Sequence, residues 1–239
     1  MVLSVIIPVY NERNTIGRVI ERVKAVKLPG IMKEIIVIDG CSTDGTRELL
    51  ADIALKQNIY LVMEEHRRGK GMAVRTGFAK ATGDVIIIQD ADLETNPEEY
   101  PQLLEPIIRE NRQVVYGSRF KRGRGSASWG NYYGNWLVTV FMNMLFSSRL
   151  SDVATVYKVF RKDVIKDINF ECMGFDFDIE ITAKILKSGY EILEMPISYE
   201  PRLAKDGKKL HWFIGVRALL LVFKYRFFAE NNSRAYCVN

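Results

Sequence analysis

Cysteine and histidine are scarce in this chain. Three cysteines, Cys41, Cys172 and Cys237, stand far apart with no Cys-x-x-Cys pair, and the two histidines are His66 and His211. That scarcity argues against a zinc site and a disulfide scaffold, and it reads as a reduced, cytosolic compartment. Long apolar runs are also missing. Residues 126–148 carry no charge, but their dense apolar part, 136–146, would make a helix roughly 16 Å long against a hydrocarbon core of about 30 Å. Arg217, Lys224 and Arg226 interrupt the apolar stretch 212–228. No transmembrane span is expected, so a membrane contact would have the protein lying on the surface. The apolar N-terminus has no basic leader and no small-residue cleavage site, and it reads as a strand rather than a signal peptide. Two nucleotide signatures are absent as well. Without Gly-x-x-x-x-Gly-Lys-Ser/Thr a P-loop NTPase is disfavoured, and without Gly-x-Gly-x-x-Gly after the first strand so is a dinucleotide dehydrogenase.

What is present belongs to a globular protein. The 239 residues are 48% apolar and 26% charged, enough for a large core, and no repeat or low-complexity linker divides them. A single domain over 1–239 is expected, regular over 1–118, less regular over 119–210 and closed by 211–239. The net charge of +5 suits phosphorylated ligands, anionic lipid or nucleic acid and by itself selects none of them.

Apolar periodicity alternates between strand and helix. Residues 3–9 form a β-branched run, and Ile16, Val19, Ile20, Val23 and Val26 then recur at helical spacing. A strand over 34–38 ends at Asp39, and Ser42 or Thr43 can cap a helix through 54 with Leu49, Leu50 and Ile53 inward. A strand over 59–63 leads to the loop containing Arg67 and Gly69-Lys70-Gly71, then to a helix over 72–81. Val85-Ile86-Ile87-Ile88 runs into Gln89-Asp90-Ala91-Asp92-Leu93-Glu94, after which Asn96 caps a helix that has Pro97 in its first turn. Further strands are expected over 114–117, 156–160 and 191–199, with helices over 178–188 and 212–228. Strands alternating with helices mean an α/β fold with a mostly parallel sheet and flanking helices.

In such a sheet the C-terminal strand ends converge on one crevice. Glu12, Asp39, Asp90, Asp92 and Glu94 all fall at strand ends, while Arg67, Lys70, Arg119, Arg202 and Lys208 arrive in loops. An isolated Asp-x-Asp reads equally as a solvated turn, and a Gly-Lys-Gly loop is common. Their convergence favours carboxylates holding a divalent cation, ringed by cations suited to a diphosphate.

The ordered motifs are more specific. Pro8-Val9-Tyr10-Asn11-Glu12, Asp39-x-x-Ser42-Thr43-Asp44-Gly45-Thr46, Gly69-Lys70-Gly71-x-Ala73, Asp90-Ala91-Asp92-Leu93, Gly117-Ser118-Arg119, Asp152-x-x-Thr155-x-Tyr157-Lys158 and Pro201-Arg202 follow one another along the chain. Over residues 3–228 the chain resembles the family 2 glycosyltransferases of GT-A fold, in their dolichyl- or polyprenyl-phosphate sugar synthase branch. The resemblance implies that Pro8, Tyr10 and Glu12 line the nucleotide pocket, and that Asp39, with Val37 beside it, accepts a base N–H. It further implies that Asp90 and Asp92 hold Mg²⁺ or Mn²⁺, with Ala91 at the nucleotide and Glu94 as a third ligand where relatives often carry Gln. Lys70, Arg119, Arg202 and Lys208 would contact phosphates, and Asp92, Arg119 and Asp152 would form the catalytic set.

The activity implied is metal-dependent inverting transfer of a sugar, mannose from GDP-mannose first, to dolichyl or polyprenyl phosphate. Glucose from UDP-glucose is the alternative, as is transfer to a saccharide hydroxyl with Asp152 or Asp178 as base. Residues 1–118 would bind the nucleotide sugar and 119–210 the acceptor, with 211–239 a C-terminal amphipathic helix and tail. The apolar stretches 136–146 and 212–228 would be interfacial helices on the cytoplasmic face of a membrane. Nucleic acid is not an expected partner, whereas a homo-oligomer or a separate membrane-anchoring subunit is compatible. The chain departs from the family pattern at Gly40-Cys41, where Asp-Gly is common, and at Val156, where Gly is usual. It has Asn131, Tyr132 and Tyr133 where a second acceptor arginine often stands, which leaves Arg122 or Arg124 to substitute.

Overall fold

The computed structural model describes residues 1–121, 123, 129–174, 176–201 and 212–228. Its centre is β1 (Val2–Val9), buried at every position from Leu3 onward because both faces of this β-branched run are covered. Parallel β2 (Met32–Asp39) and β4 (Val85–Ile88) flank it, with Ile6 in register with Ile36 on one side and Ile88 on the other. Next to β2 lies β3 (Tyr60–Met63), also parallel. Beyond β4 come β6 (Lys158–Arg161), β5 (Val114–Ser118) and β7 (Ile192–Pro196), giving the order β3-β2-β1-β4-β6-β5-β7. Within this mostly parallel sheet β6 is the exception, antiparallel to both β4 and β5. The strand following β5 in sequence thus inserts between β4 and β5 instead of extending the parallel order.

The alternation of side chains along β1 separates two cores. Val5 and Ile7 pack with residues of α1 (Ile16–Ala25), α2 (Thr46–Lys56) and α4 (Tyr100–Arg109). Ile6 points the other way, toward α3 (Lys70–Lys80), α6 (Lys162–Lys166) and α7 (Phe177–Lys187). A third cluster joins α7 to α5 (Trp129–Phe146) and α8 (Trp212–Phe227) through Val138, Met142, Ile179, Ala218 and Val222.

Two helix starts differ from the sequence expectation, for local reasons that bear on the site. Ser42 and Thr43 do not cap α2, which begins at Thr46 after Gly45. The Ser42 hydroxyl instead accepts the Asn11 N–H at 2.9 Å, and the Thr43 N–H donates to Asn11 Oδ1 at 2.8 Å, which staples the loop after β1 to the loop after β2. Helix α3 starts at Lys70 behind Gly69, whose φ of 95° lies in the region that favours glycine. Pro97–Glu99 form a separate 3₁₀ turn before α4, and Asn96 Oδ1 accepts the Glu98 N–H at 3.0 Å.

Candidate active site

The C-terminal ends of β1, β2 and β4 open into a cleft of about 190 Å³ whose walls include Pro8, Tyr10, Glu12, Lys70, Asp90 and Asp92. Gly40, Arg67 and Ala91 also line it, Arg67 adding a second cation beside Lys70. The Arg67 guanidinium lies over the Tyr10 ring, 4.2 Å from its centroid. Glu12 is fixed at the mouth, its N–H donating to Thr46 Oγ1 at 3.0 Å and its Oε2 accepting the Thr15 hydroxyl at 2.7 Å.

Asp39 ends β2 fully buried. Its Oδ2 accepts the Ser42 N–H at 3.2 Å and faces Arg47 Nε at 3.3 Å, whereas its Oδ1 has no hydrogen-bond partner among the described residues. A buried carboxylate oxygen left open in this way suits a donor supplied by a ligand. Val37 does not share that position. It lies two residues back on the same strand face, fully buried in the core with Val5, Ile7 and Leu50, and is not among the residues that line the cleft.

The two carboxylates after β4 are held by different means. Gln89, wholly buried, accepts the hydroxyls of Tyr100 and Tyr157 at 2.8 and 2.9 Å, and its Nε2 donates to the Asp90 carbonyl at 2.9 Å. That amide anchors the strand end from which Asp90 projects. Lys70 Nζ lies 2.8 Å from Asp90 Oδ1 and 3.1 Å from Oδ2, and 3.9 Å from Asp178. Asp178 in turn meets the fully buried ammonium of Lys158 at 2.8 Å. Burial pulls the Lys70 ammonium down, but Asp90 and Asp178 outweigh it and hold it above its ordinary value. Burial alone would raise the Asp178 carboxyl, yet Lys158 and Lys70 leave it below its ordinary value.

Asp92 Oδ1 accepts the Glu94 N–H at 3.1 Å across Leu93, which takes a φ of 64°. Glu94 Oε2 accepts the Tyr199 hydroxyl at 3.1 Å, and Tyr199 is pushed up to about 12 by burial and by Glu94. Among the described residues no three Asp, Glu, His or Cys side chains assemble as a metal cluster. The expected trio of Asp90, Asp92 and Glu94 is therefore not preassembled, since the left-handed turn at Leu93 and the Tyr199 bond give Glu94 a separate setting. The pair that remains still fits Mg²⁺ or Mn²⁺, hard ions that commonly use one or two carboxylates and complete their shell with substrate phosphates and water.

Arg119, just after β5, forms a fork with Asp152, Nε to Oδ2 and Nη2 to Oδ1, both at 2.7 Å. Its backbone N–H adds a third bond to Oδ2 at 3.0 Å. Burial works against the guanidinium charge, and Asp152 overcomes it, so the Arg119 pKa is raised. The Asp152 side chain is 0% exposed, and Glu194 fixes its loop by accepting the N–H groups of Ser151 and Asp152. Asp152, expected among the catalytic residues, is thus buried in its pair with Arg119 and is not among the residues that line the cleft. Arg202, Lys208, Arg122 and Arg124 lie outside the described residues.

Sequence reasoning assigned no role to Gln89, Lys158 or Glu194. Lys158 did leave a signal, since a lysine inside the apolar run Val156-Tyr157-Lys158-Val159-Phe160 must find a buried counter-charge. The partners of Gln89 and Glu194 come from elements distant in sequence, and no local pattern marks them.

Seven mostly parallel strands with flanking helices define an α/β protein with a GT-A-like fold. The chain belongs to glycosyl transferase family 2, whose model matches residues 4–169. It is 30% identical over 213 residues to a dolichol-phosphate mannosyltransferase of Pyrococcus furiosus, covering 87% of this chain and 59% of that protein. A low-salt glycan biosynthesis hexosyltransferase of Haloferax volcanii is 32% identical over 84% of this chain and 48% of its own length. The chain therefore spans about half to three-fifths of these two relatives. An undecaprenyl-phosphate mannosyltransferase of Micrococcus luteus is 25% identical, with 88% of each chain covered. In fold the chain is similar to glucosyl-3-phosphoglycerate synthase of Mycobacterium tuberculosis, solved with Mn²⁺, uridine diphosphate and phosphoglyceric acid. The TM-score is 0.69 at 20% identity, over 96% of this chain and 80% of that one.

Proposed function

We propose that this protein is an inverting hexosyltransferase that moves a sugar, mannose from GDP-mannose in the first instance, from a nucleoside-diphosphate donor to dolichyl or polyprenyl phosphate. Family membership and the two polyprenyl-phosphate mannosyltransferase relatives support the reaction class. The observation that carries the choice of acceptor is the sequestration of Asp152. Both its oxygens are bound by Arg119, and Asp178 is shared between two ammonium groups, so neither carboxylate is placed to take a proton from a hydroxyl. A phosphate monoester needs no such base, because its second pKa of about 6 leaves it largely dianionic near neutral pH.

The residues then divide the work. Asp39 Oδ1 accepts a base N–H, and Asp90 and Asp92 would hold Mg²⁺ or Mn²⁺. Such an ion, when bound, supplies charge neutralisation on the leaving diphosphate. Arg119, held rigid by Asp152, presents its guanidinium to phosphate, and single displacement along one line inverts the anomeric carbon. Arg202 and Lys208 belong to the same proposed phosphate set. On the acceptor side, α5 and α8 expose Trp129, Trp136, Met144, Leu220, Phe223 and Phe227 while their other faces build the third core. Apolar faces with tryptophan and nearby basic residues suit peripheral contact with the cytoplasmic leaflet, where a polyprenyl acceptor resides. A second copy or an anchoring subunit would compete for the same faces. Among the described residues no helix is long and apolar enough to cross a membrane.

The deciding experiment offers GDP-mannose, UDP-glucose and other nucleotide sugars with polyprenyl phosphate and Mn²⁺ or Mg²⁺, and reads the products by mass. A hexosyl-phosphoryl-polyprenol released into organic solvent and labile to mild acid is expected. Label confined to water-soluble glycan would reject the lipid-phosphate acceptor.

A further inference from the structure

The Lys70–Asp90 contact occupies the oxygens that the proposed metal site would use. Both oxygens of Asp90 face one ammonium, at 2.8 and 3.1 Å, and the Lys70 side chain is only 13% exposed. We propose that Lys70 is an internal counter-cation that makes divalent metal binding depend on the nucleotide diphosphate, a proposal that rests on the donor reading above. A bare divalent ion approaching Asp90 must displace the ammonium from a partly buried, charge-assisted contact. It gains only the two carboxylates of Asp90 and Asp92, one of them already neutralised.

Asp178 does not offer Lys70 a full alternative. It lies 3.9 Å from Lys70 but accepts the buried Lys158 ammonium at 2.8 Å, so moving Lys70 wholly onto Asp178 would crowd two cations on one carboxylate. Phosphate oxygens solve the problem. A diphosphate entering beside Gly69 and Lys70 provides acceptors for the displaced ammonium and further oxygens for the metal. Asp178 keeps Lys70 within reach during the exchange. Metal and nucleotide then raise each other's affinity by the same factor, as linkage requires.

The test is Mn²⁺ binding to the purified full chain, followed by the spin-resonance signal of free Mn²⁺, alone and with saturating GDP or UDP. Controls without protein account for Mn²⁺ held by the nucleotide. Wild type should bind Mn²⁺ weakly alone and at least about tenfold more tightly with nucleotide. Lys70→Met should bind Mn²⁺ alone at least about tenfold more tightly than wild type and lose most of the nucleotide enhancement, while Lys70→Arg should behave as wild type. Circular dichroism verifies folding, and Lys70→Gln replaces the methionine variant if that one fails to fold. Equal Mn²⁺ affinity in wild type and the uncharged variants would overturn the role of Lys70. Asp92→Asn separates the two readings. If it binds Mn²⁺ as wild type does, the metal site and the inference fall together. If it loses Mn²⁺ while Lys70→Met still matches wild type, only the inference falls.

Discussion

At the scale of single residues, the pairing of Arg119 with Asp152 shows how a carboxylate next to a candidate site can be kept from acid–base work. A guanidinium fork uses both oxygens, and Glu194 holds the loop that carries them. Asp152→Asn should lower kcat/KM by about 10²-fold, because Arg119 loses the charge that fixes its plane, and should cost on the order of 3 kcal/mol of stability. The shape of the pH–rate profile should stay that of wild type. Disappearance of its acidic limb in steady-state assays across pH would show instead that Asp152 takes a proton. Asp39, Asp90 and Asp92 were visible in the sequence because each ends an apolar strand run. The pairings of Asp152, Asp178 and Glu194 were not, since each partner lies 20 or more residues away and is chosen by packing.

At the scale of elements, the Gly69-Lys70-Gly71 turn owes its shape to a neighbour. A Cβ on Gly71 would come within 2.6 Å of the Cys172 carbonyl oxygen and 2.9 Å of Phe177 Cβ, and the Met72 N–H donates to the Met173 carbonyl at 3.1 Å. The start of α3 is thus moulded onto residues 172–174, where Glu180 in α7 accepts the N–H groups of Glu171 and Cys172. Gly71→Ala should cost about 1–3 kcal/mol by overpacking and raise the donor KM, because Lys70 shifts with the turn. Gly134→Ala, at a helical position with nothing within 4 Å, should leave both unchanged or slightly improve stability. Urea unfolding and donor saturation curves check both variants. The glycine-rich loop itself was legible in the sequence. The start of α3 at Lys70 was not, because no local cap marks it and the segment that fixes it lies about a hundred residues downstream.

At the scale of the whole molecule, α8 is at once a wall of the third core and an exposed apolar surface. Ala218, Val222 and Tyr225 are buried while Leu220, Phe223 and Phe227 are exposed, so deleting the helix would uncover core. Charge on the outer face is the cleaner probe. Leu220→Glu with Phe223→Glu should reduce co-sedimentation with anionic liposomes several-fold and leave thermal unfolding near wild type. Unchanged sedimentation would reject a membrane contact through this face of α8. The alternation of strands and helices through β4 was readable from apolar periodicity, as was the convergence of acidic strand ends. The direction of β6 was not, because a short apolar strand looks the same whether it runs with its neighbours or against them.

The third core has a further consequence. Cys172 and Ile192 pack against both it and the core beneath α3 and α7, and α7 lends Ile179 and Ala183 to the third core and Ile181 and Ile185 to the other. One helix therefore serves as a hinge pin between the two: its outer face, Ile179 and Ala183, seats α5 and α8, while Asp178 on the same helix stands 3.9 Å from Lys70, so any exchange of the outer helices has to keep that face as it is.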